Sequence, residues 1–133
     1  MKTIFADTFY FLALYYPDDQ YHAKTVRVAR QLKARLLTTD WVLTEVADAL
    51  SKGESRLKVA DLIRRVRSSP VWEIIPFSRD QFDAAIEFHS QHRDKEWTLT
   101  DCASFLIMQE RGITEALTGD RHFEQAGFTA LLK

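Results

Sequence analysis

Ile4-Phe5-Ala6-Asp7-Thr8-Phe9-Tyr10-Phe11-Leu12-Ala13-Leu14-Tyr15 decides the fold. Ile4 to Ala6 is a short apolar run that ends on an acid, the pattern of a buried strand whose end carries Asp7. Thr8 to Tyr15 follows as a first helix, closed by Tyr16-Pro17. The same alternation continues outward. Asp18 or Asp19 can cap a second helix running to about Arg35, and Leu36 to Thr38 is a second short strand. Asp40 can cap a helix from Trp41 to about Lys52, along which Val42, Val46 and Leu50 form one apolar stripe. A further helix covers roughly Lys58 to Arg67, and Ser68-Ser69-Pro70 breaks it. Val71 to Ile75 is a third strand, β-branched and aromatic. Ser78 caps a helix through about His92, and Thr98 or Thr100 opens another, from about Asp101 to Arg111, stopped by Gly112. Ala116 to Thr118 and Phe128 to Leu132 complete five strands. Helices alternating with short apolar strands predict an α/β protein, three-layer α/β/α with a mainly parallel five-stranded sheet.

The 133 residues, 46% apolar and 28% charged, suit one domain over residues 1–133 and exclude wholesale disorder. The single cysteine, Cys102, excludes an intrachain disulfide and fits a reducing compartment. Apolar runs fall far short of the roughly 18 residues of a membrane span. Asp7 interrupts any signal-peptide core, so the expected location is cytoplasmic. The net charge of −1 conceals an asymmetry: residues 1–67 hold 12 Lys/Arg against 8 Asp/Glu, and residues 68–133 hold 6 against 11. Such a chain can set an acidic site beside a basic rim.

In open parallel sheets ligands bind beyond the carboxyl ends of the strands. Asp7 directly follows the first strand, and Asp120 follows the fourth through Gly119. Glu45 sits near the start of the helix after the second strand, and Asp101 opens the helix after the polar loop 91–100. Singly, Asp101 could cap its helix, Glu45 could be a solvated acid and Asp120 a turn residue. Together they cannot all stay ionised, because two unit charges about 4 Å apart repel by roughly 4 kcal/mol at an effective dielectric of about 20. Either protons are retained or a divalent cation binds. Oxygen ligands with no His or Cys partner favour Mg²⁺ or Mn²⁺ over Zn²⁺. The chemistry such a site suits is hydrolysis of a phosphodiester by activated water.

Ile4-Phe5-Ala6-Asp7-Thr8, Leu43-Thr44-Glu45, Leu99-Thr100-Asp101-Cys102 and Ala116-Leu117-Thr118-Gly119-Asp120-Arg121-His122-Phe123 resemble, in order and spacing, the motifs of a PIN domain. The stretches Asp94 to Cys102 and Asp120 to Phe128 are similar to the VapC-type toxin ribonucleases in particular. The resemblance implies a Mg²⁺- or Mn²⁺-dependent endoribonuclease, the toxin of a type II toxin–antitoxin module. It assigns Asp7, Glu45, Asp101 and Asp120 as the catalytic and metal-binding quartet, with Asp7 and Asp101 the firmest ligands. Thr8 and Thr118 supply supporting hydroxyls. It also implies a homodimer and a cognate antitoxin protein. Phe9 departs from the small or polar residue common after Thr8, and Asp94 is read as a loop or cap residue.

Lys52, Arg56, Lys58 and Arg64 are candidates for an RNA-holding rim, beside Arg65 and Arg67. Lys24, Arg27, Arg30 and Lys33 simply fill the polar side of one helix. The four histidines show no metal-ligand spacing, and Cys102 is expected in the core. Two other readings are weighed. A phospho-receiver signalling domain needs paired acids after its first strand and an acid after its middle strand, where this chain has Thr8-Phe9 and Pro76-Phe77-Ser78. A catalytically silent PIN domain that binds RNA or protein is opposed by the intact quartet.

Overall fold

A computed structural model describes residues 1–133. The elements are β1 (Thr3–Ala6), α1 (Thr8–Tyr15), α2 (His22–Gln31), β2 (Arg35–Thr39), α3 (Asp40–Ala49), α4 (Ser55–Ser68), β3 (Trp72–Ile75), α5 (Arg79–Gln91), α6 (Leu99–Arg111), β4 (Glu115–Leu117), α7 (Arg121–Gln125) and β5 (Thr129–Ala130). The five strands form one sheet in the order β3-β2-β1-β4-β5, and every pairing is parallel. The expectation of a mainly parallel sheet is thus met in full.

Strand β1 lies at the centre, where both faces are covered. This is why Ile4-Phe5-Ala6 is an unbroken apolar run rather than an alternating one. The chain runs from β1 outward to β2 and β3, then returns across to β4 and on to β5. With right-handed crossovers, α1–α4 cover one face and α5–α7 the other. In the packing α1 contacts α2 and α3, α3 contacts α4, and α6 contacts α5 and α7, while α3 also reaches α6 and, through Trp41, α5. The strand order therefore reverses between β1 and β4. Beyond their carboxyl ends lies the crevice where an open parallel sheet presents a ligand site.

Local chemistry explains where the elements depart from the sequence expectations. Helix α2 begins at His22, not at Asp18 or Asp19, because the Asp19 carboxylate accepts the Tyr21 N–H within a turn. It ends at Gln31, since Leu32 turns extended and the Arg35 N–H joins Lys2 O to start β2. Thr39, not Asp40, caps α3 by accepting the Val42 N–H, and Asp40 instead accepts the N–H of Phe77. Helix α4 starts at Ser55, earlier than expected, and β5 is shorter than expected. Helix α7, five residues long, has no counterpart in the sequence reading. Thr98 caps α6, and Gly112 ends it at φ 66°, a left-handed conformation in which a side chain is strained. No helix is long and apolar enough to cross a membrane.

Under the crevice the core is aromatic. Phe105 of α6 meets Phe123 of α7 edge-on at 4.9 Å and Trp97 at 5.1 Å, while Phe123 lies 6.2 Å from Phe5 of β1. Phe123 is fully buried and so pins the short α7, with Asp120 and His122 on it, to the strand that carries Asp7.

Candidate active site

Asp7 stands at the end of β1 and opens α1, but its carboxylate caps nothing. Only 5% of it is exposed. Oδ2 accepts the Thr118 hydroxyl at 2.9 Å, and the same hydroxyl oxygen accepts the Asp120 N–H at 3.0 Å. Thr118 thereby ties the ends of β1 and β4 together and sets the spacing of two of the acids. Thr38 adds a brace, its hydroxyl donating to Ala6 O at 2.9 Å.

Asp101 is the third residue of α6. It completes a capping box: the Thr98 hydroxyl accepts the Asp101 N–H, and Asp101 Oδ2 accepts the Thr98 N–H, both at 3.1 Å. Asp101 is also buried. Asp101 thus does cap its helix, and its Oδ2 also meets His122 Nδ1 at 3.0 Å. Asp120 caps α7 through the His122 N–H, and its Oδ1 lies 3.6 Å from His122 Nδ1. One ligand atom each from Asp101, Asp120 and His122 fall within 4.8 Å of one another. Glu45 stands one step away in the second turn of α3. It accepts the Thr8 hydroxyl at 2.6 Å and makes no hydrogen bond to the other three acids.

The electrostatics report crowding. Burial first, then the charge of Asp101 and, more weakly, that of Asp120, raise the Asp7 carboxyl to about 7, against the lowering hydrogen bonds from Thr118 and the Thr8 backbone. Burial likewise raises Asp101, with Asp120 adding and Thr98 and His122 opposing. Cys102, beside Asp101, is pushed up to about 11 by burial and by that carboxylate, so its thiol stays protonated and is no nucleophile.

Asp101, Asp120 and His122 thus form one cluster, to which Thr118 ties Asp7, while Glu45 stands beside Asp7 through Thr8. His122, set aside in the sequence for want of metal-ligand spacing, is brought by the fold against Asp101 and Asp120. Its contact with Asp101 spans 21 positions and needs α7 to exist, although its place two residues after Asp120 was visible. The donor set is consequently not all-oxygen, and the argument against Zn²⁺ from the absence of a histidine falls. Lys52, Arg56, Lys58 and Arg64 are exposed and contact none of the acids. Arg56 bonds to Ser51 O, and Arg64 pairs with Asp61 at 2.6 Å.

A family model for the PIN domain matches residues 4–129. The 23S rRNA-specific endonuclease VapC20 of Mycobacterium tuberculosis is 28% identical over 125 residues, covering 94% of this chain and 95% of that protein. Ribonuclease VapC1 of Aquifex aeolicus is 27% identical over 107 residues, covering 80% and 71%. The crystal structure of the Mycobacterium VapC20, described as a Sarcin-Ricin loop cleaving toxin, superposes with a TM-score of 0.85 at 27% identity, covering 94% of this chain and 95% of that one. FitAcB from Neisseria gonorrhoeae, at 18% identity and a TM-score of 0.68 over 96% and 94% of the two chains, is alike in fold.

Proposed function

The chain belongs to the PIN domain family, and on that footing we propose that it is a divalent-metal-dependent endoribonuclease acting as the toxin of a VapBC-like type II module. The observation that carries this reading is the convergence of Asp7, Asp101 and Asp120 at the point where the strand order reverses, with burial first and the charges of Asp101 and Asp120 after it raising the Asp7 carboxyl to about 7. Buried carboxylates that resist joint ionisation fit a counter-cation, and they would hold Mg²⁺ or Mn²⁺. When bound, the cation supplies neutralising charge and acidifies coordinated water.

The protein's own part is positioning. Thr118 fixes the Asp7 carboxylate, and Thr98 and His122 fix that of Asp101. Thr8 fixes Glu45, which completes the rim of the pocket. No covalent enzyme intermediate is proposed, because no activated nucleophile stands in the crevice. The relatives are nucleases, which favours this reading over a phospho-receiver or a silent binding module. It carries a cognate antitoxin and a homodimer as its partners, and light scattering on the purified chain tests the latter.

The deciding experiment is cleavage of total RNA, ribosomal RNA included, with Mg²⁺ or Mn²⁺, beside an EDTA control and the Asp101→Asn variant. Wild type should cut only with metal, and Asp101→Asn, which retains a side chain able to complete the cap, should fold and not cut. Full activity in the variant would falsify the assignment.

A further inference from the structure

A crevice lined with carboxylates repels a polyanion, so an RNA-cleaving enzyme needs cations close to it. Lys52 and the bases of α4 contact none of the four acids, and two of them are engaged locally. A different cluster lies next to the acids. Between the end of α5 and the segment entering α6 is a cavity of about 360 Å³, lined by His89, Ser90, His92, Arg93, Lys95, Trp97 and Cys102. None of the lining residues is an acid, and the cavity wall joins the acids through the chain: Trp97 precedes Thr98, whose hydroxyl and N–H both bond Asp101.

The cavity is built on a rigid wall. Trp97 is buried, stacks on Phe88 at 5.9 Å and 10°, and donates its Nε1–H to Gln125 of α7. His92 packs 5.0 Å from Trp97 and bonds through Nδ1 to Phe88 O, which leaves Nε2 as its remaining polar atom. Arg93 and His89 are exposed at the mouth. Lys95 is half-buried, lies 5.9 Å over the Trp97 ring and pairs with the exposed Asp94 at 2.6 Å.

Building on the ribonuclease reading, we propose that this cleft seats a backbone phosphate of the RNA strand beside the scissile bond, held by Arg93 and Lys95 with His89 beside them. An ammonium held over an aromatic wall, with a guanidinium at its side, matches a phosphodiester, whose charge is permanent and whose oxygens accept from several directions. Asp94 competes with that phosphate for Lys95.

The test measures binding of a short fluorescein-labelled single-stranded RNA in EDTA, across a range of salt, and cleavage with metal. Arg93→Ala/Lys95→Ala should weaken binding about tenfold and reduce the log–log salt slope by roughly 0.7, the share of one phosphate contact on a single strand. KM should rise with kcat held, and Arg93→Ala alone should give part of the loss. Asp94→Asn should tighten binding. Arg27→Ala/Arg30→Ala, which removes equal charge from α2, should change neither reading. Unchanged affinity and slope in the first double variant, with wild type still cutting, overturns the phosphate seat and leaves the nuclease reading standing. Equal losses in the two double variants overturn it too, as a general field effect. Inorganic phosphate should displace the RNA only weakly; strong displacement without loss of cleavage would assign the cleft to a free anion. Wild type that neither binds nor cuts RNA overturns the ribonuclease reading itself.

Discussion

Phe9 and Gly119 are complementary. A Cβ built on Gly119 would lie 2.5 Å from Phe9 Cζ and 3.0 Å from both Cε atoms, so the ring occupies the space a side chain at 119 would need. Position 9 is where the resemblance leads one to expect a small or polar residue, and the bulk placed there is accommodated by none at 119. The pairing matters because Gly119 separates Thr118 from Asp120. Pushing the backbone at 119 moves both the hydroxyl that holds Asp7 and the acid beyond it. Gly119→Ala should destabilise the protein by about 1–3 kcal/mol through overpacking and lower cleavage. Phe9→Ala costs its own edge contact with Tyr21, at 4.8 Å. Combined with Gly119→Ala, it should nevertheless recover part of the loss, a coupling of about 1 kcal/mol in a double-mutant cycle by urea denaturation. Strict additivity would show that the ring yields freely.

Two hydroxyls of α6 make opposite predictions at the scale of an element. Thr98 is half of the capping box that also aims Asp101, so Thr98→Ala should cost about 1 kcal/mol and depress cleavage more than that loss explains. Ser104 has a buried hydroxyl oxygen with no hydrogen-bond partner, so Ser104→Ala should be neutral or stabilising by up to about 1 kcal/mol. Equal destabilisation by the two in denaturant would contradict the assignments. The elements legible in the sequence were those with a physical signature of their own: apolar runs for the buried strands, Ser78 and Thr98 as caps, Gly112 as a stop. Helix α7 was not legible, because five residues carry no periodicity and it is anchored by Phe123 reaching across to Phe5 and Phe105. The placement of Asp7 and Asp120 could be read from strand ends, whereas His122 and the Arg93–Lys95 cleft depend on contacts between elements.

Across the whole molecule, the carboxylates that make the site are a source of instability until something neutralises them. Asp7 titrates near 7 in the folded chain, against about 3.9 for an unfolded aspartate. The folded state therefore holds this proton more tightly. The stability it brings is complete below pH 4 and is lost as pH rises through 7. Asp101, raised by burial, acts in the same direction. The opposing groups, Glu73 and the exposed Asp94, are lowered by hydrogen bonds from Arg111 and Lys95 and are silent at these pH values, since their stabilisation is lost only on acidification below the ordinary range. Metal-free protein should accordingly be less stable at pH 8 than at pH 5 by about 2 kcal/mol from Asp7. Asp7→Asn, which keeps an acceptor for Thr118, should flatten that profile and raise stability at pH 8. A cation that binds the ionised pocket should reverse the trend, raising Tm at pH 8 and hardly at pH 5, where Asp7 must first release its proton. Calorimetric unfolding of wild type and Asp7→Asn, with and without Mn²⁺ at the two pH values, checks this coupling. A metal-induced rise in Tm at pH 8 that survives undiminished in Asp7→Asn would remove Asp7 from the ligand set while leaving Asp101 and Asp120 to hold the ion.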